Sequence, residues 1–470
     1  MKPNPMPTRT ERDLLGEMPV PAEAHYGIQT QRAVANFNIS EDRLLHYPDF
    51  IWALGAVKLA AVRANRDLGL INEPLAGAIE QACTDVMGGG LNEHFVLDMF
   101  QGGAGTSTNM NANEVIANQA LEILGYEKGE YEYCSPNDHV NMSQSTNDVY
   151  PTAIKMTLIR MNQDLIAHLK QLVTAFGDKG EEFAGILKMG RTQLQDAVPM
   201  TLGQEFCAFA DNLAEEVDRL NENARLFNEV NMGATAIGTG ITTVEGYAEA
   251  CVGHLRTITG FPVTLAPDLM EATPDTGSFV IYSSALKRMA VKISKICNDL
   301  RLLSSGPRAG LGEINLPPMQ PGSSIMPGKI NPVIPELMNQ VSFRVIGNDL
   351  TVTFAAEAGQ LQLNAMEPVI CYCILQSIMF LIRGMDALRA HCIAGITANR
   401  EVCASMVRKS IGIVTALVPT IGYEHATRIA QTAQETGKGV YEIVLEEGLL
   451  SKEELDEILK PENMVRPRKI

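Results

Sequence analysis

Val369-Ile-Cys-Tyr-Cys-Ile-Leu-Gln-Ser-Ile-Met-Phe-Leu-Ile382 is apolar on nearly every face that a helix would present. A helix of that kind must be buried on all sides, in a large core or against another subunit. It is too short to span a bilayer and contains Gln376 and Ser377. The run lies within Pro368–Ile396, one of five stretches with long helical texture; the others are Thr152–Phe176, Leu202–Val230, Ser278–Ser304 and Pro335–Leu363. Leu213, Val217, Leu220, Ala224 and Phe227 trace an apolar stripe at three-to-four spacing in one of them. The sequence therefore predicts a mainly all-α chain with a central five-helix bundle. Five helices alone struggle to enclose a segment apolar all round, so an obligate homo-oligomer with a larger shared core is expected.

Texture divides the chain into a mixed, helical N-terminal region (1–142), the long-helix bundle (143–396) and a small helical C-terminal region (397–470). In the last, Ser451 and Glu454 have capping-box spacing. With 38 Lys+Arg against 55 Asp+Glu, the formal charge of the 470 residues is −17. That balance disfavours nucleic acid and anionic membranes as partners. The nine cysteines are dispersed, and no pair has the two-residue spacing of zinc or thioredoxin-like sites. They read as reduced core thiols. The N-terminus, MKPNPMPTRTERD, carries no apolar segment of the signal-peptide kind, and a cytoplasmic location is expected.

Chemistry concentrates in four donor-rich segments. Gln320-Pro-Gly-Ser-Ser-Ile-Met-Pro-Gly-Lys-Ile-Asn-Pro-Val-Ile-Pro-Glu336 cannot be helical before about Asn331, because of its prolines and glycines. It offers Ser323, Ser324, Lys329 and Asn331 ahead of a helix start, a set suited to a carboxylate; a solvated linker is the bland alternative. Gln101-Gly-Gly-Ala-Gly-Thr-Ser-Thr-Asn109 lacks the third glycine of a dinucleotide fingerprint and contains no phosphate-loop lysine. Ser143-Gln-Ser-Thr-Asn-Asp148 lies next to Pro151 at an expected helix start, where ordinary N-capping also explains it. Gly190-Arg-Thr-Gln-Leu-Gln-Asp196 reads as a polar turn before a helix, with Thr192 and Gln193 in it. Together the four suit two carboxylates and an amine.

The run Gly322-Ser-Ser-Ile-Met-Pro-Gly-Lys-Ile-Asn-Pro332 resembles the signature of the aspartase/fumarase superfamily of lyases. The similarity extends from about Glu11 through the C-terminal region. Val333-Ile-Pro-Glu336 is similar to the branch that deaminates aspartate, whereas class II fumarases continue with a Thr-Gln-Cys-Glu type sequence. The resemblance implies a three-domain aspartase/fumarase-like fold and a homotetramer with a twenty-helix core and active sites shared by three subunits. It also implies reversible conversion of L-aspartate to fumarate and ammonia; malate hydration chemistry is the runner-up. No cofactor is required, although a divalent cation such as Mg activates some members; the sequence identifies no site for it.

Carried over by match, Ser323 is the base. Thr106, Ser145, Thr146 and Ser324 hold the β-carboxylate, and Lys329 and Asn331 the α-carboxylate. Thr192 and Asn147 lie near the amino group with Gln193, which Glu336 braces from behind. Fumarases and some ammonia-lyases carry His where this chain has Gln193. Glutamine cannot titrate, which favours loss of ammonia over loss of hydroxide, a poor leaving group that needs a proton.

Overall fold

The structure is a computed structural model describing residues 7–322 and 324–465, without the side chains of 461 and 462. An antiparallel hairpin of β1 (Thr8–Asp13) and β2 (Gly16–Pro21) opens the described chain. Helices α1 (Ile28–Asn36), α2 (Pro48–Asp67), α3 (Leu75–Met87) and α4 (Thr106–Leu124) follow. Next come α5 (Thr146–Glu182), a second hairpin of β3 (Leu187–Thr192) and β4 (Gln195–Thr201), and α6 (Leu202–Ala224). After α7 (Tyr247–Thr259) and the single turn α8 (Leu269–Ala272) lie α9 (Gly277–Leu303), α10 (Val333–Glu357) and α11 (Glu367–His391). The C-terminal region holds α12 (Arg400–Lys409), α13 (Val418–Ile421), α14 (Tyr423–Thr436), α15 (Val440–Glu446) and α16 (Lys452–Ile458).

The five expected long helices are α5, α6, α9, α10 and α11, so the chain is mainly all-α as predicted. One start differs. Helix α5 begins at Thr146 and runs through Pro151, which the sequence placed at a helix start. A proline inside a helix leaves the carbonyl four residues back without its helical partner. Here that carbonyl belongs to Asn147, and it accepts from Asn231 Nδ2 at 3.0 Å instead.

Two compact units share the chain: Met1–Ile166, Asp218–Arg288 and Phe343–Leu381 form one; Ala167–Val217, Met289–Ser342 and Ile382–Ile470 form the other. Each long helix passes from one unit into the other. The units thus interleave along the chain.

In the first unit, Phe227 packs against Phe279 and Tyr282, and the Tyr282 hydroxyl donates to buried Asn162 at 2.8 Å. Most of the apolar run of α11, from Ile370 to Ile378, is buried within the chain itself. That corrects the sequence argument, because this run needs no second subunit to cover it. Uncovered apolar surface lies instead on α10, where Phe343, Leu350 and Phe354 are 61%, 57% and 65% exposed. The segment Glu367–Gly395 is apolar and long enough to cross a membrane, but 72% of its apolar window is buried in the chain. In the second unit, Phe176, Phe183, Phe206 and Phe209 form an aromatic cluster. Leu417, Ile429, Val444 and Leu455 build a further core that includes Met189 of β3. Ser451 and Glu454 form the expected capping box on α16. All nine cysteines are free, and only Cys207 is exposed.

Glu367, at the first position of α11, is fully buried, and its Oε1 has no hydrogen-bond partner among the described residues. Burial pushes its carboxyl up to about 8, against the nearby Lys155 charge. Between the ordinary carboxylate value and about 8, the unfolded chain has lost this proton and the folded chain keeps it. Stability therefore falls as pH rises through that window. Glu367→Gln should remove the fall, so its advantage in thermal midpoint over the parent should grow from pH 5 to pH 8; a pH-independent difference would contradict this.

Candidate active site

Helices α4 and α5 start close together in the first unit, and a network of amides joins them. Thr106 opens α4 after Gly105, whose φ is +85°. A Cβ at Gly105 would strike the ring of Tyr150 at 2.5 Å, so only glycine lets the loop approach α5 this closely. Asn109, one turn into α4, donates to Thr146 Oγ1 at 3.0 Å and to Asn141 Oδ1 at 3.1 Å. Asn141 and Gln144 also accept from Lys58 Nζ at 3.0 and 2.9 Å. Lys58 is buried among apolar residues of α2, and burial lowers its ammonium to about 7, with Asp148 pulling the other way.

Ser145 is the N-cap of α5: its Oγ accepts from Asn147 N at 3.2 Å. The capping role that the sequence offered as an alternative is therefore filled. It does not exhaust the residue, because a hydroxyl that accepts through a lone pair still has its proton to donate. The same holds for Thr146, whose oxygen accepts from Asn109. Thr106 is different, since its hydroxyl donates to Gly103 O at 2.8 Å. Asn147 donates through Nδ2 to Ala236 O at 2.7 Å. Thr106, Ser145, Thr146 and Asn147 are thus one structural set.

Asp148, fully buried, accepts from three backbone N–H groups: Ser145 at 3.0 Å, Gly233 at 3.1 Å and Thr235 at 3.0 Å. Burial raises its carboxyl to about 6, while these donors and Lys58 hold it down. The sequence reading gave Asp148 and Lys58 no role. A capping-box carboxylate three residues after Ser145, and a lone lysine within Leu54–Val62, were the signals available.

Thr192 and Gln193 lie at the end of the β3–β4 hairpin, not in a turn before a helix as expected. Gln193 and Leu194 form its two-residue loop with φ of +52° and +63°. Positive φ at both positions is what a type I′ turn demands, and residues with a side chain resist it. The base of the hairpin is held by buried charge. Glu313, fully buried, pairs with Lys188 at 2.8 Å and Arg191 at 2.6 Å, and Lys188 also reaches Glu205 at 2.5 Å. Lys188, Arg191, Gln193, Glu205, Lys295 and Asp299 line a cavity of about 260 Å³ beside the turn.

The third set is the loop before α10. Ser323 lies outside the described residues. Ser324 and Lys329 are exposed, and Asn331 is half-buried. The loop doubles back on itself: a Cβ on Gly322 would overlap the carbonyl of Lys329, and Gly328 has φ +83°. Glu336 sits in the first turn of α10. Among the described residues no hydrogen bond joins Glu336 to Gln193, so the brace expected from the resemblance is not made within the chain. None ties Thr192 or Gln193 to the loop either. Likewise, no group of three or more His, Cys, Asp and Glu among the described residues is placed to hold a metal ion.

Glu313→Leu leaves Lys188 in the interior with one partner fewer, and breaking a buried pair from one side costs about 3–5 kcal/mol. Urea unfolding should show a loss of that order, and adding Lys188→Met should recover part of it. Unchanged stability in the single variant would mean that the pairs do not hold the hairpin.

The chain is similar to known proteins through nearly its whole length. Residues 16–347 match the family described as lyase, and residues 413–466 the fumarase C C-terminus. Aspartate ammonia-lyase of Pseudomonas aeruginosa is 62% identical over 464 residues, covering 98% of each chain. The crystal structure of fumarate lyase:delta crystallin from Brucella melitensis bound to cobalt superposes with a TM-score of 0.96 at 55% identity, over 98% of this chain and 100% of that one. Class II fumarase from Schistosoma mansoni follows with a TM-score of 0.92 at 34% identity, over 98% and 100%. Loop, capped helix start and hairpin turn thus stand on a shared scaffold, and the chain belongs to the aspartase/fumarase superfamily of lyases.

Proposed function

We propose that this chain is a carbon–nitrogen lyase that converts L-aspartate reversibly to fumarate and ammonia. The observation that carries this reading is the 62% identity with an aspartate ammonia-lyase across nearly all of both chains, against 34% for a class II fumarase. Gln193 agrees with it. Ammonium leaves as neutral ammonia and needs no acid, whereas hydroxide would need a proton that an amide cannot supply.

In this reading Ser323, as an alkoxide, takes a proton from the carbon beside the β-carboxylate. The electron pair moves into that carboxylate, giving a doubly charged aci-carboxylate. It then returns to form the double bond as the carbon–nitrogen bond breaks and ammonia departs with its electrons. Donors aimed at the developing charge are the main requirement. Ser145 and Thr146 fit, because each hydroxyl oxygen already accepts from the protein and, among the described residues, neither hydroxyl donates its proton. The start of α5 adds its positive dipole. Ser324 and Thr106 complete the β-carboxylate set, Thr106 after turning from Gly103. Lys329 and Asn331 take the α-carboxylate; Asn147, Thr192 and Gln193 face the amine. The mechanism calls for no cofactor; activation by a divalent cation such as Mg would be an addition to it.

The chain assembles, in this reading, as a homotetramer whose sites draw on three subunits. Two features support that. Among the described residues, the site residues fall into three sets without hydrogen bonds between the hairpin turn and the loop, and α10 leaves Phe343, Leu350 and Phe354 uncovered. Such a stripe marks an interface. The free thiols suit a reducing cytoplasm.

Purified protein given L-aspartate or L-malate should raise fumarate absorbance with aspartate; fumarate from malate alone would overturn the assignment. Ser323→Ala should keep the assembly and lower turnover by roughly a hundred- to ten-thousandfold, the usual contribution of a general base. Full activity in that variant would remove Ser323 from the role. Separately, Phe354→Lys should lower the mass measured by light scattering, and an unchanged mass would exclude this face of α10 as an interface.

A further inference from the structure

The sequence 231–236 forms a strap across the start of α5. Asn231 Nδ2 donates to Asn147 O at 3.0 Å, the carbonyl that Pro151 leaves without a helical donor. Gly233 N and Thr235 N donate to one oxygen of Asp148, whose other oxygen holds Ser145 N. Thr235 is buried and held at φ +55°, a conformation that a β-branched residue resists. The surrounding contacts therefore over-determine the strap. Its Ala236 carbonyl then accepts from Asn147 Nδ2 at 2.7 Å.

That last bond fixes which end of the Asn147 amide is free. A carbonyl can only accept, so the amide nitrogen faces Ala236 and Oδ1 faces away as an acceptor with no partner in the chain among the described residues. Ammonium carries donors only. We infer that the strap, locked by Asp148, orients the Asn147 amide as an acceptor and so makes Asn147 select an amine-bearing dicarboxylate over one without the amine. Asp148 and Asn231 are positioning residues in this account, acting through Asn147. The inference rests on the proposed contact between Asn147 and the amino group. Were the strap loose, the amide could turn its NH2 outward, toward a ligand group that cannot accept.

The test compares, on the assembled enzyme, KM for L-aspartate with the inhibition constant of succinate, which keeps both carboxylates and lacks the amine. Asp148→Asn is isosteric but cannot accept three N–H groups through two oxygens. Because Asp148 also holds Ser145 N, both ligands should weaken, but KM for aspartate should rise about tenfold more than the inhibition constant of succinate, the scale of one hydrogen bond to a charged group. Asn231→Ala cuts the other tie and should move the same ratio in the same direction, which keeps the test available should Asp148→Asn fail to assemble. Equal weakening of aspartate and succinate would show a purely structural role and overturn the inference. Asn147→Ala separates the two layers: an unchanged ratio there would remove the amine contact itself. A shifted ratio in Asn147→Ala with none in the strap variants would refute the strap alone.

Discussion

A single buried carboxylate carries the geometry at the start of α5. Asp148 accepts from Ser145, Gly233 and Thr235, so one side chain fixes the helix cap and the strap across it. Only a carboxylate has enough acceptor positions for three donors at once. Its charge is expensive in the interior, and the N–H groups together with Lys58 offset that expense. Lys58 in turn braces Asn141 and Gln144, on the other side of the same segment. Remove the pair and the donors would remain in the sequence without a common frame.

This arrangement explains how a chain of formal charge −17 suits a dianionic substrate. The groups that would meet the substrate are hydroxyls, amides, a helix start and Lys329. The first unit keeps its own negative charge at Asp148 turned inward and consumed by backbone donors. Fixed neutral donors at a helix start stabilise charge without having to reorganise as it develops. The acidic exterior belongs to solubility, and its sign does not set the field within the site.

Much of the scaffold was legible because long helices announce themselves by periodicity. The five ranges read from apolar spacing match α5, α6, α9, α10 and α11 with shifts at their ends. Shifts at ends are expected, since caps and prolines decide them locally. Pro151 misled in an informative way: proline usually marks a first turn, but here the freed carbonyl is used by Asn231. The β3–β4 hairpin was missed because Gln193 and Leu194 are not the Asn-Gly or Gly-Gly residues that signal a type I′ turn. The expectation that α11 needs a second subunit to cover it misread where apolar surface lies exposed, since its neighbours in the chain cover it while α10 leaves Phe343, Leu350 and Phe354 uncovered. Asp148 and Lys58 left only faint signals for another reason: most of their partners lie far along the chain.

The hairpin turn shows what that missed signal means. Asn-Gly would adopt the turn with little strain, yet would leave only a short amide and a bare backbone at the tip. Two side-chain-bearing residues at positive φ cost of order 1–3 kcal/mol each, and the surrounding structure must supply that. It does so twice. Buried Glu313 ties Lys188 and Arg191 beneath the strand, and the C-terminal core packs on Met189. Strain held in place by buried charge on one side and apolar packing on the other belongs to a turn kept for the side chain it presents. In the proposed reading Gln193 is that side chain, beside a cavity lined by charged groups. An amide is the group that can meet an ammonium there while neither gaining nor losing a proton.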